Sequence, residues 1–177
     1  MDLQDAFTQH TEHLKQLGQE QARAYDADGK VPLPGYVGSL TVYGLATGAL
    51  LVTGRVMGRT LPEQYRLSDV MLGGFATHKF TRLLSKASVT SPLRAPFTAF
   101  KEPAGSAELN EQARGEGMRH TVGELLTCPF CLGQWVGTGY VAGLALAPRA
   151  ARTWAAVFTV TAVSDLLQHF YARVRAN

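Results

Sequence analysis

The sequence predicts an all-α protein: a polytopic membrane helical bundle with about four transmembrane helices, preceded by a short soluble N-terminal helix. Three observations predict it. First, charge is segregated. Only 18% of the 177 residues are charged, and they gather in residues 1–30 and 101–120. Second, several of the stretches between have few charges and the length of a bilayer crossing. Third, glycines recur inside them at four-residue spacing, in Gly44-Leu-Ala-Thr-Gly48, Gly133-Gln-Trp-Val-Gly137 and Gly139-Tyr-Val-Ala-Gly143. That pattern lets helix backbones approach closely in lipid and mostly costs stability in a soluble helix. The chain divides into residues 1–31, an amphipathic helix and linker, and 32–177, the membrane domain. A soluble domain with buried apolar helices is the alternative.

In the first unit, Leu3, Phe7, His10, Leu14 and Leu17 form a stripe at three- and four-residue spacing. It suits docking on the membrane domain or pairing with a second copy. Pro32-Leu33-Pro34-Gly35 is expected to break the helix before the first span. That span is 36–55; its uncharged part, 36–54, reaches roughly 28 Å at the helical rise, close to a hydrocarbon core of about 30 Å. The second span, 67–85, has helical length but carries Asp69, His78, Lys79 and Arg82. The third is 124–147, and the fourth, 153–172, is apolar apart from Asp165 and His169.

Between spans two and three lies a cytoplasmic loop, 87–120. Its first half, with Ser91, Pro92, Leu93, Arg94, Pro96 and Phe97, is stiffened by proline and reads as an ordered interfacial segment. The second half, Lys101 to Arg119, is charged and contains glycine, and disorder is the expectation there. With four spans, the termini and this loop share one side. That side holds Lys15, Arg23, Lys30, Lys86, Arg94, Lys101, Arg114, Arg119, Arg173 and Arg175. The other holds Arg55, Arg59, Arg66, Arg149 and Arg152. The excess puts both termini and this loop in the cytoplasm.

Ionisable residues within spans are costly and mark candidate sites. At the helical rise, His78 and Arg82 lie about 16 and 22 Å in from the outer end, and Asp165 and His169 about 18 and 24 Å. With Lys79 and Glu124 they form a polar cluster in the cytoplasmic half. His78 and Arg82, Asp165 and His169, and Glu124, Cys128 and Cys131 each share one helix face. They make a pocket if the faces meet, and a set of structural ion pairs otherwise. Asp69 sits apart, near the outer end, and is expected to cap or pair locally.

Thr121-Val122-Gly123-Glu124 has the form of a capping box, which would start the third span near Val122 and place Pro129 inside it. Alternatively Thr127 is the cap and Pro129 lies in the first turn. Either way Cys128 and Cys131 share a face near a helix entry. Three readings compete for them: packed structural thiols, a zinc site completed by His78, His169 or His120, and a redox dithiol, which lacks the preceding strand usual for that motif. No other cofactor is expected. A net charge of +3 is too weak to argue for nucleic acid.

Taken together, ATHKFTRLLSKASVTSPLRAPF (76–97), GELLTCPFCLGQW (123–135) and AVSDLLQ (162–168) resemble the bacterial membrane-protein family known as domain of unknown function thirteen-sixty, over about residues 36–172. The resemblance implies a small polytopic membrane protein and no established activity; some members in spore-forming bacilli carry a sporulation label. It places His78, Lys79, Arg82, Ser91, Pro92, Arg94, Pro96, Glu124, Cys128, Cys131 and Asp165 among the family's recurring residues. The leading expectation is a non-enzymatic envelope component that contacts lipid and assembles with itself or other membrane proteins. The alternatives are a metal- or thiol-dependent membrane enzyme using Cys128, Cys131 and Glu124, and an oligomeric ion or proton pathway through Asp165, His169 and His78.

Overall fold

A computed structural model describes residues 3–29, 31–59, 61–105 and 107–176. Lys30, counted above among the cytoplasmic charges, and the Leu3 side chain of the N-terminal stripe lie outside the described residues. The rest form α1 (Leu3–Tyr25), α2 (Leu33–Val56), α3 (Leu67–Lys86), a 3-10 turn (Ser88–Thr90), α4 (Ser91–Arg94), β1 (Thr98–Gly105), β2 (Glu108–Ala113), α5 (Gly117–Thr127), α6 (Pro129–Leu146) and α7 (Pro148–Ala176).

The helix ends follow local chemistry. Pro34 lies in the first turn of α2, where a missing N–H leaves no bond unmade, so the proline pair opens this helix as well as ending the linker. At the other end Gly58, with φ of 66°, donates to the Arg55 carbonyl, and Arg59 donates to the Gly54 carbonyl. This is a Schellman stop, and its left-handed residue is best met by glycine. Pro148 starts α7 directly after the extended Ala147.

Contacts fix how the helices run. Leu72 of α3 accepts from Thr159, and Lys79 pairs with Asp165, so α3 and α7 are parallel. Tyr43 meets Trp135 and Thr138, and Gly54 meets Leu146, so α2 and α6 are parallel. Asp69, at the start of α3, meets Tyr140, late in α6, so α3 runs against α6. The start of α2, the end of α3, the hairpin, the start of α6 and the end of α7 therefore share one end of the bundle.

The core is small-residue packing around α3. Ala76 and Ala155 are fully buried beside Tyr140 and Leu144, with Trp154 and Phe158 against them. Phe80 stacks edge-on to both Trp154 and Phe158. A Cβ at Gly73 would come within 2.1 Å of the Tyr140 ring, so only glycine permits this approach of α3 to α6. The most polar of the four predicted spans is thus the central helix.

Three expectations change. The protein is mostly helical but not all-α: residues expected to be disordered form an antiparallel hairpin, β1 with β2. The predicted third span is broken at Cys128 into α5 and α6. Thr121 is no cap, since it lies within α5 and donates to the Gly117 carbonyl. Among the described residues, α2 alone is long and apolar enough to cross a membrane by length and composition, with mean hydropathy 1.4. The α3 helix, with Asp69, Lys79, Arg82 and Lys86, carries too many charged residues to meet that measure. The N-terminal helix extends to Tyr25, with Phe7, Leu14 and Leu17 exposed.

Candidate functional site

The hairpin end of the bundle is organised by one buried cation. Ser91-Pro92-Leu93-Arg94 forms α4, which aims Arg94 back under the end of α3. Its side chain is 1% exposed, and that of Glu111 on β2 is 5%. Arg94 Nε and Nη2 donate to the two Glu111 oxygens at 2.8 and 3.0 Å. Its other donors reach the Leu84 carbonyl, the Thr90 hydroxyl and the Ala87 carbonyl. All five guanidinium N–H groups are thereby matched. Thr98 adds a hydrogen bond to Glu111 at 2.9 Å. Burial pushes the Glu111 carboxyl up, but the bonds from Arg94 and Thr98 and the charge of Arg94 outweigh it, so the group sits below its usual value. Pro96 contributes its carbonyl, which accepts from Arg119.

The predicted polar cluster does not converge on one pocket. Lys79 of α3 pairs with Asp165 of α7, while Arg82 pairs with Glu108 of the hairpin at 2.5 Å. His78 is exposed. His169 is exposed too, and its ring contacts only the Asp165 carbonyl among the described hydrogen bonds. Asp69, expected to pair locally, is buried and bonded in bidentate fashion by Arg152 at 2.9 and 2.8 Å. Glu108, Glu111, Thr98 and Arg152 are the participants that sequence reasoning missed. No local pattern marks the hairpin: Leu109 is followed by Asn110, Glu111 and Gln112, without the apolar alternation of a half-buried strand.

The two cysteines face a different feature. A cavity of about 450 Å³ is lined by Tyr36 and Ser39 of α2, Thr121 and Glu124 of α5, and Cys128 and Cys131. Cys128 caps α6, its Sγ accepting the Cys131 N–H at 3.2 Å. The expected Thr127 cap is therefore displaced by one residue, with Pro129 in the first turn as that alternative required. Glu124 Oε1 lies 3.5 Å from His120 Nε2, and its Oε2 is buried without a hydrogen-bond partner. No group of three or more His, Cys, Asp or Glu that could hold a metal occurs among the described residues, so neither His78 nor His169 joins the cysteines. A second, apolar groove of about 750 Å³ opens between α2 and α3 over the face of α6. Tyr43 bonds Thr138 and Gln134 on its wall, at 2.6 and 2.8 Å.

The profile of DUF1360, a family of proteins of unknown function, matches residues 71–171, more than half of the chain. The chain belongs to this family. The matched segment runs from α3 through most of α7 and takes in the Arg94 clamp, the hairpin and both cysteines. It leaves out α1 and α2, whereas the resemblance seen in the sequence was placed from residue 36. Sporulation protein YjcA of Bacillus subtilis strain 168 is 28% identical over 102 residues, covering 56% of this chain and 86% of that protein. No solved structure matches.

Proposed function

We propose that this family member is a four-span protein of the bacterial cytoplasmic membrane, with both termini inside, acting as a non-enzymatic envelope or assembly component. One observation carries the reading: the side chains are distributed inside out. Leu40, Leu45 and Val52 of α2 and Val160, Leu166 and Phe170 of α7 are each at least 62% exposed. Asp69, Lys79, Asp165 and Arg152 instead meet in interhelical pairs, with Asp69 buried and the other three partly exposed. Continuous aliphatic faces are a liability in water, whereas ions that pair between helices are what lipid demands. The alternating helix directions and the surplus of Lys and Arg at the hairpin end favour the inside assignment. The sporulation role named for the Bacillus subtilis relative fits an envelope component.

Assembly is supported by α2. A Cβ added at Gly44 or Gly48 would meet nothing within 4 Å, so this small-residue face is unused within the monomer and open to a second copy. Two measurements in native membranes test the reading. In a Cys128→Ser/Cys131→Ser background, Glu63→Cys and Ala104→Cys will label with an impermeant maleimide from opposite faces. Labelling of both from one face overturns the four-span arrangement. Crosslinking will give a dimer or larger species that Gly44→Leu/Gly48→Leu weakens; monomer alone, with no partner, rejects the assembly role.

A further inference from the structure

We propose that Cys128 and Cys131 form a reversible dithiol–disulfide switch opening on the cavity between α2 and α5, with Glu124 as the proton acceptor for Cys131 and disulfides as the oxidant class; a stoichiometric switch is compatible with a non-enzymatic component. Two alternatives fit the geometry poorly. Structural thiols belong in packed surroundings, but Cys131 is exposed and both sulfurs border a cavity. A metal needs at least a third ligand, and no group of three or more His, Cys, Asp or Glu that could hold one occurs among the described residues.

The chemistry follows from three placements. Cys128 is the N-cap of an 18-residue helix, and its sulfur accepts the Cys131 N–H. Thiolate is the reactive form, and CxxC sulfurs at helix N-termini are the ones poised to adopt it. Cys131, one turn on, lines the same cavity as Cys128 and Glu124. Glu124 in turn carries a buried oxygen that no hydrogen bond of normal geometry reaches, on a cavity wall it shares with the Tyr36 hydroxyl and the Cys131 thiol. A buried acceptor so placed is rare in folded proteins, and it can take a proton from the thiol.

The exchange balances as follows. Cys128, its thiol proton lost to solvent, attacks one sulfur of a disulfide RSSR. The S–S bond breaks, a Cys128–SR mixed disulfide forms, and RS⁻ leaves and takes a proton from solvent. Cys131 then gives its proton to Glu124 and attacks Cys128 Sγ. The Cys128–Cys131 disulfide forms, and the second RS⁻ leaves with the proton that Glu124 had taken. Two electrons pass from the dithiol to RSSR, giving two RSH, and a dithiol reductant reverses the process.

The test uses the purified full chain and oxidised glutathione, with maleimide trapping and intact-mass analysis. The expected product has lost both free thiols and carries no glutathione. Cys131→Ser will hold one glutathione on Cys128, and Cys128→Ser will form its adduct roughly tenfold more slowly. Glu124→Gln will still form the first adduct, on Cys128. It will close the ring roughly tenfold more slowly and with a steeper rise as pH increases, because hydroxide must replace the lost base. Two glutathiones per chain at equal rates, or no reaction, overturns the site. Unchanged closure in Glu124→Gln overturns the role given to Glu124. These readouts are independent of the labelling that tests the membrane topology, so the two proposals fail separately.

Discussion

The hairpin end and the α2 helix are held by opposite means. At the hairpin end a guanidinium is almost wholly removed from solvent and all its donors are matched. Along α2, Leu40 and Leu45 are each 70% exposed, and Tyr43 supplies its described side-chain hydrogen bonds to α6. The α2 helix keeps its form through its own backbone bonds, while the hairpin, polar in composition, keeps its form only through a partner elsewhere in the chain. Apolar helices can therefore be loosely attached where the surroundings are apolar, but a polar hairpin must be anchored.

The largest effect should come from breaking that anchor. Arg94→Met leaves the Glu111 carboxylate buried and unpaired, and removing one partner of a buried pair typically costs about 3–5 kcal/mol. The loss should be local. Lys101 on β1, protected by the hairpin, should become a trypsin site, and amide exchange over residues 98–113 should accelerate while α3 and α7 stay protected. Adding Glu111→Leu should restore much of the protection, because an apolar replacement for the pair leaves no stranded charge. If Arg94→Met alone keeps the native resistance to trypsin, the clamp does not hold the hairpin.

A smaller effect of the same origin should appear on acidification. The Glu111 carboxyl lies below its ordinary value in the folded chain. Its contribution is therefore complete above the unfolded value, about 4.3, and is lost as pH falls through the lower folded value. Hairpin protection against urea should decline as pH falls below about 4.3, while the α2 signal, which rests on no carboxylate, stays level. In Glu111→Gln this extra acid sensitivity should vanish; if it persists, another carboxylate is responsible.

The same contrast explains what the sequence revealed. The extents of α2 and α3 were legible because hydrophobic length and bounding proline or charge are local properties. The Pro129 break was legible only as one of two alternatives, since Thr121 and Cys128 are both plausible starts and packing of α5 on the hairpin decides between them. The hairpin was invisible as structure because its strands, rich in Lys, Glu, Asn and Gln, have the composition of a disordered loop. What orders it is Arg94, seventeen residues before Glu111. The Asp69–Arg152 pair spans 83 residues, a pairing no local pattern encodes. His78 and His169 were singled out on depth and helix face alone; neighbouring helices determine whether such residues meet, and these do not.

The smallest effect should be on the α2 side. Tyr43→Phe removes the hydroxyl shared with Thr138 and Gln134 but keeps the edge-on contact with Trp135, whose ring centroid lies 5.1 Å away. A hydrogen bond of this kind contributes about 0.5–1.5 kcal/mol, and interhelical bonds in membranes average near the lower end, about 0.6 kcal/mol. The detergent-solubilised protein should therefore lose only about 1–2 °C in Tm, well short of the loss in Arg94→Met. Gln134→Leu should add little to Tyr43→Phe, because both remove the same bond. A drop in Tyr43→Phe as large as that in Arg94→Met would mean that α2 is as firmly integrated as the hairpin. The distinction between a lipid-facing helix and an anchored polar appendage would then fail, since its premise is that α2 draws most of its stability from the surroundings and little from the rest of the chain.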